Sequence, residues 1–265
     1  EAQNIANSGW DYTSSSSYIT LSFWVKSSVA QNFYGYLRTV DGTGRQYRFE
    51  TTSLTADTWK KVTVTVPGDS NITVDNNNAT GLMIWIAPFY GTNYTDNSNA
   101  LSTWVNYSSS TIGKDYTSTW WTTNDATFEI TGVQLTATDY CPDYPHISYG
   151  DELRRCERYY QRLGGGNASY ITTAFFYSST AVVAIVNLRT VMRADPTLVQ
   201  TTGTDYYKVY ADSTGHNFTG FDQISSPSKW SIGLYESGQM TESAGYAGGL
   251  YSNSAAATID VSAEL

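Results

Sequence analysis

The sequence predicts an all-β protein: a two-sheet sandwich followed by a smaller β domain. Three observations carry this reading. Apolar residues recur at every second position in one segment after another, turn-forming residues separate those segments, and a single stretch has helical spacing.

The alternation is clearest over residues 18–26, where Ile19, Leu21, Phe23 and Val25 share one face and Thr20, Ser22, Trp24 and Lys26 the other. Successive side chains of an extended chain point to opposite sides, so this is a half-buried antiparallel strand. Similar signals cover residues 33–38, 46–51, 62–66 and 82–86, separated by Asp41-Gly42, Pro67-Gly68 and the Asn76-Asn77-Asn78 run. Strand after strand with turns between them describes a sandwich. Residues 90–124 are rich in Asn, Ser, Thr, Gly, Trp and Tyr and show little periodicity. A strand resumes over residues 127–135 with its phase slipping at Gly132, which predicts a β-bulge there.

Helical spacing places Leu153, Cys156, Tyr160 and Leu163 on one face, surrounded by Arg154, Arg155, Glu157, Arg158 and Arg162. Ser148 with Asp151 caps the start, and Gly164-Gly165-Gly166 ends it. Alternation then returns over residues 170–177, 181–188, 205–210, 230–235 and 258–265. The expected organisation is therefore a sandwich over residues 1–147, a linker helix over 148–164 and a small β domain over 165–265.

With 265 residues the chain is long enough for two domains with proper cores. Charged residues make up only 15%, so neutral hydrogen-bonding groups and phenols must cover the surface, a palette shared with extracellular and viral β proteins. A net charge of −9 with only 15 Lys and Arg leaves no basic field to neutralise phosphates, and nucleic acid is not an expected partner. The longest apolar run, residues 181–186, is far short of the roughly 18 residues a membrane helix needs, so no membrane insertion is expected. Glu1 opens the sequence without a start methionine, and the chain is read as part of something longer.

Little here points to catalysis. The two histidines, His146 and His216, fall in different expected domains, and no Gly-x-Ser-x-Gly elbow, His-Glu-x-x-His helix or phosphate-binding loop occurs. No catalytic residue, cofactor or metal ligand is assigned. Cys141 and Cys156 are read as free thiols, one of them buried in the helix. A glycosidase needs only two facing carboxylates, which a sequence cannot exclude.

Binding is better supported. Sugars present apolar C–H faces with a hydroxyl rim, so a lectin site uses exposed rings beside Asn, Asp, Ser or backbone donors. Tyr90, Tyr94, Trp104, Tyr107, Trp120 and Trp121 lie in polar, loop-like sequence of that kind and are the candidate ligand-binding residues. The alternative for any one of them is a ring pinned against the core or a subunit contact. Trp120 and Trp121, as neighbours on an extended chain, are expected to point to opposite faces and leave one ring available. The arginines of the helix read either as a solvated face with pairs such as Asp151–Arg155 or as groups pairing across a three-fold axis. In the second domain, Arg189, Arg193 and Asp195 near Pro196, and the Tyr/Ser/Gly tract 245–253, suit either adaptable binding or an assembly role.

The run Phe128-Glu129-Ile130-Thr131-Gly132-Val133-Gln134-Leu135, followed by Ser148-Tyr149-Gly150-Asp151-Glu152-Leu153 and Cys156-Glu157-Arg158-Tyr159-Tyr160, resembles a junction common in tailed-phage fibre and virion proteins. Upstream, residues 21–28, Thr58-Trp59-Lys60-Lys61-Val62-Thr63-Val64 and Val66-Pro67-Gly68-Asp69 resemble the jelly-roll module of the same proteins, itself similar to carbohydrate-binding modules. Trp104-Val105-Asn106-Tyr107 falls where that family carries an aromatic loop, and Trp104 resembles one of its scaffold positions.

The resemblance spans roughly residues 15–163. It implies a jelly roll, a virion location, a homotrimer and contacts with other virion tail proteins, with a host surface glycan or receptor as ligand. A structural calcium, as in some carbohydrate-binding relatives, is compatible with it. Two stretches depart from the family pattern, Cys141-Pro142-Asp143-Tyr144-Pro145 and Trp120-Trp121. The function expected is a non-enzymatic fibre-tip segment for host attachment. The alternatives are a structural virion component without a ligand and a glycan-depolymerising tailspike.

Overall fold

A computed structural model describes residues 1–264 and has the all-β architecture that the alternation predicts. The chain divides into two compact units, Glu1–Pro145 and His146–Leu265.

The first unit opens with helix α1 (Ala2–Ala6) and contains strands β1 (Tyr18–Ser27), β2 (Tyr34–Thr39), β3 (Arg45–Glu50), β4 (Lys60–Pro67), β5 (Leu82–Ala87), β6 (Trp104–Asn106) and β7 (Phe128–Thr136), with a helical turn α2 (Thr119–Thr122) before β7. They form two antiparallel sheets, ordered β4-β1-β7 and β5-β2-β3-β6. The chain crosses between sheets from β1 to β2, β3 to β4, β4 to β5 and β6 to β7, so the core is closed by residues distant in sequence. Phe23 of β1 meets Phe49 of β3 across the sandwich, their ring centroids 6.2 Å apart. Ile19, Leu21, Val25, Leu37, Val62 and Val66 complete the centre of that core. Each such side chain contributes about 1.5–3 kcal/mol through burial.

β1 lies between β4 and β7, and its register against β7 jumps between Ser22 and Trp24. The extra residues opposite the jump include Gly132 at φ +61°, which is the expected bulge and a backbone conformation that favours glycine. The second face of β1 departs from expectation. Thr20 and Ser22 are buried because the chain after β7 folds back over them: the Thr20 hydroxyl donates to the Thr138 carbonyl at 2.8 Å, and the Cys141 sulfur lies 2.9 Å from the Ser22 hydroxyl. Only Trp24 and Lys26 keep solvent contact, Lys26 paired with Glu129 at 2.7 Å.

In the second unit the helix is shorter than its spacing suggested. α3 runs Tyr149–Glu157, and Tyr160–Gly165 is strand β8. The expected linker helix 148–164 is corrected because β8 pairs with the last strand and Gln161 is buried beneath it. The Gln161 side-chain amide donates to the carbonyls of Glu157 (3.0 Å) and Thr190 (2.8 Å) and accepts from the Arg189 N–H (2.9 Å). These tertiary bonds outweigh a helical period that two residues, Tyr160 and Leu163, happened to extend. α3 itself has no buried residue, so Cys156 is exposed rather than buried; both cysteines are free. The expected Asp151–Arg155 pair does not form, since the Asp151 carboxylate accepts from the Ser148 hydroxyl at 2.7 Å while Ser148 caps the helix.

The remaining strands are β9 (Ser169–Phe176), β10 (Ala181–Asn187), β11 (Thr197–Gln200), β12 (Tyr207–Ala211), β13 (Thr214–Phe218), β14 (Gln223–Ser225), β15 (Ser231–Ser237), β16 (Ala247–Ser252) and β17 (Thr258–Ser262). A seven-stranded sheet, β13-β12-β16-β9-β10-β15-β14, faces a three-stranded sheet, β11-β17-β8. Tyr207, Phe218, Leu234 and Leu250 from the large sheet and Ile259 and Val261 from β17 share one core. β16 comes from the Tyr/Ser/Gly tract, where alternation is hidden by glycine. Gly248 is required there, because a Cβ would lie 1.9 Å from the Tyr210 carbonyl oxygen of the neighbouring strand.

Glu236 of β15 faces this interior with 0% exposure. One carboxylate oxygen accepts the Gln239 N–H at 3.0 Å; the other has no protein partner. Burial pushes its pKa up from the ordinary glutamate value, and the nearby Asp222 adds to the shift. A group whose folded pKa is raised supports the fold fully below its unfolded pKa, and that support is lost as pH rises through the folded value. Glu236→Gln is therefore expected to melt higher than the parent at pH 8, with the gap closing by pH 4. Equal melting temperatures at pH 8 would contradict this.

Candidate functional site

The outer face of the β5-β2-β3-β6 sheet carries the candidate site. Leu37, Tyr47 and Phe49 point into the core, so Tyr34, Tyr36 and Arg38 of β2 and Gln46, Arg48 and Glu50 of β3 point outward. The pairing aligns Trp85, Tyr36 and Arg48 in one row across β5, β2 and β3. Such a row would be wet in an ordinary sandwich, but here Tyr36, Gln46 and Arg48 are buried.

Segment 88–118 closes over them. The Arg48 guanidinium donates to the Thr111 carbonyl through Nε at 2.6 Å and to the Thr111 hydroxyl through Nη2 at 3.0 Å. The Gln46 amide donates to the Ile112 carbonyl at 3.3 Å. On the segment itself, Asp115 accepts from the Thr95 hydroxyl (2.8 Å) and the Asn97 amide (2.9 Å), and Ile112 N–H donates to the Tyr94 carbonyl (2.9 Å). The Tyr116 hydroxyl donates to the Ala87 carbonyl at 2.9 Å and pins the far end to β5. Burial lowers the Arg48 pKa from its ordinary value, and its hydrogen bonds to the loop stand in for lost water.

This closure arranges the rings. Tyr34, Tyr36, Trp85, Tyr90 and Tyr116 line a crevice too narrow to admit water. Burial pushes Tyr36 up to about 12 and raises Tyr34 and Tyr116 above the ordinary phenol value, and of these three hydroxyls Tyr116 donates to backbone carbonyls. From the crevice a ladder of rings runs outward: Tyr34 to Tyr116 (5.1 Å, perpendicular), Tyr116 to Phe89 (5.7 Å) and Phe89 to Trp121 (5.1 Å, planes 10° apart). Trp121 ends the ladder with 64% exposure. Tyr34, the first ring of the ladder, also lines an open polar recess of about 400 Å³ together with Gln31, Asn32, Asp115, Thr117 and Thr119. The Gln31 side-chain oxygen accepts from Trp120 N–H (2.9 Å) and the Thr117 hydroxyl (3.0 Å); this fixes the amide's orientation and leaves its NH₂ without a protein partner.

The six candidate rings separate accordingly. Trp121 is the exposed member of its pair, on a helical turn rather than the extended chain expected. Trp120 is turned inward against Phe33 and Phe128, its indole N–H donating to the Thr127 carbonyl at 3.1 Å. Trp104, 8% exposed, packs on Tyr47 and donates to the Pro67 carbonyl at 2.6 Å. These two are corrected from ligand contacts to structural residues, since their faces and N–H groups are used within the fold. Tyr107 is half-buried with the Arg38 guanidinium over its ring at 3.5 Å. Tyr90 is half-buried and touches Tyr94, which is 50% exposed.

Sequence reasoning missed Phe89, the support of the platform, and Trp85, which is exposed and stacked on Tyr36 with planes 9° apart. Trp85 was within reach of the pattern, because Leu82, Ile84 and Ile86 alternate with it in β5. The recess residues carry no local signal and are brought together only by the closure of the loop.

Among the described residues, no group of three or more His, Cys, Asp or Glu is placed to hold a metal. His216 lies 3.3 Å from Glu242 in the second unit, and His146 is exposed. Also among the described residues, no helix is long and apolar enough to cross a membrane. Comparison with family profiles, curated proteins and solved structures finds no match to this chain.

Arg48→Ala is expected to lower stability by about 2–3 kcal/mol, because it leaves the loop carbonyls unpaired in a buried setting. It should also open peptide bonds in 88–118 to limited proteolysis. A variant as stable and as protease-resistant as the parent would show that the loop closes without this clamp.

Proposed function

We propose that this chain is the receptor-facing part of a tailed-phage fibre, binding a host surface glycan without cleaving it. The observation that carries the reading is Trp121, a flat indole held open to solvent on Phe89 at the end of a ring ladder whose first member, Tyr34, also lines a polar recess. Stacking on Phe89 removes the entropy a lone surface tryptophan would lose on binding, and a rigid ring suits the C–H face of a sugar. Asn32 and the threonines suit its hydroxyls. The virion setting rests on the sequence resemblance, and the low charge and abundance of Ser, Thr, Asn and Tyr accord with it.

Assembly as a homotrimer belongs to the same proposal. α3 buries none of its residues within the chain, with Tyr149 at 81% and Leu153 at 43% exposure. An amphipathic helix of this kind gains most of its stability from packing its apolar face. Three copies would multiply weak single-site binding by effective concentration.

A second reading, a structural virion component without a ligand, is favoured by the outer face of the seven-stranded sheet. Tyr170, Phe175, Ile185 and Tyr210 are exposed there, as on a surface made for assembly. The glycan-cutting alternative requires two facing acids in a cleft, whereas the polar recess on Tyr34 offers one carboxylate, Asp115, already accepting two hydrogen bonds.

Trp121→Ala is expected to weaken adsorption to host cells or glycan affinity about ten- to a hundredfold, the effect of removing a central ring anchor. Trp104→Phe should reduce stability and leave affinity intact. Unchanged adsorption in Trp121→Ala favours the scaffold reading, and release of reducing ends from host polysaccharide would replace both. Solution mass should correspond to three chains.

A further inference from the structure

We propose a second binding site, for an oxyanion-bearing saccharide, in the recess between α3 and the segment around Thr190 and Val191. It lies wholly within the second unit and shares no residue with the Trp121 platform. The recess is open and holds about 470 Å³, and Ile147, Asp151, Arg154, Arg155, Arg158 and Val191 line most of it.

Charge is the first argument. The chain carries −9 overall, yet this recess has three arginines against one carboxylate. That carboxylate, Asp151, is engaged by the Ser148 hydroxyl at the helix cap. The other arginines of the region are committed: Arg162 to Asp260 at 2.8 Å, Arg189 to Glu157 at 3.2 Å and Arg193 to the Ala263 carbonyl at 2.7 Å. Arg158 is also engaged within the fold. Among the described residues, Arg154 and Arg155 have no ion-pair partner. An anion seated against Arg154 and Arg155 would form charge-assisted hydrogen bonds with guanidinium groups that have no ion-pair partner among the described residues.

Size and lining define the rest of the ligand. The volume is that of a small-molecule pocket rather than of a bare ion, and Ile147 and Val191 offer apolar contact. A sugar ring with a carboxylate or phosphate substituent presents a C–H surface to those two side chains and its oxyanion to Arg154 and Arg155.

The test is calorimetric titration of the full chain at low ionic strength with trigalacturonate, glucose 6-phosphate, galactose and inorganic phosphate. Trigalacturonate or glucose 6-phosphate is expected to bind, with affinity falling as salt rises; galactose should not bind, and phosphate should bind more weakly than either. Arg154→Gln with Arg155→Gln should lower the affinity at least tenfold at an unchanged melting temperature, and Trp121→Ala should leave it alone. Failure of both anionic sugars to bind, equal affinity in the double variant, or phosphate binding as tightly as the sugars would each overturn the proposal. None of these outcomes bears on the Trp121 platform, whose own variant is read separately.

Discussion

The organisation of the first unit depends on one buried cation. Arg48 projects from the outer face of β3, where a sandwich strand would ordinarily meet water, and its guanidinium takes up the carbonyl and hydroxyl of Thr111. The covering segment is rich in Asn, Ser, Thr and Gly but also buries Ile112 and packs Tyr116 on Tyr34, so it docks partly by the hydrophobic effect. Hydrogen bonds add to this and fix its position, with Gln46 below and the Tyr116 hydroxyl at the margin. Once closed, the loop converts half of the sheet's wet face into a second, polar interior, and the rings at its rim acquire fixed positions.

That arrangement gives a protein poor in charge a rigid, ring-bearing surface. Phenols and indoles stack upon one another from the sheet outward, and each step is set by the one beneath it. The outermost ring needs no backbone rigidity of its own. Hydroxyls and amides surround the ladder, and burial raises the pKa of its phenols Tyr34 and Tyr116. The proposed fibre function would use such a surface for neutral, hydroxyl-rich ligands, with many weak contacts multiplied by repetition.

The two units handle polar burial differently. The first buries an arginine against backbone oxygens; the second buries Asp260 against Arg162, Gln161 against three backbone groups, and Glu236 with one oxygen unpartnered. In the second unit Arg154, Arg155, Arg162 and Asp260 lie on or beside α3 and β8, while the outer face of the large sheet exposes Tyr170, Phe175 and Tyr210 and sets Lys208 over the Tyr251 ring.

Sequence by itself determined the strands that carry period-two alternation, the bulge at Gly132 and the N-terminal cap of α3. These depend on neighbours along the chain and on backbone conformation, which local residues dictate. Only the tertiary structure decided that Tyr160 and Leu163 belong to a strand, that Gly248 and Gly249 lie inside a sheet, that Thr20 and Ser22 are covered, and that Trp104 and Trp120 are internal. The recess of Gln31, Asn32 and Asp115 was equally invisible, since more than eighty residues separate its two sides. Each of these outcomes is set by groups far off in sequence, and pairing or burial across such distances leaves no trace in a local pattern.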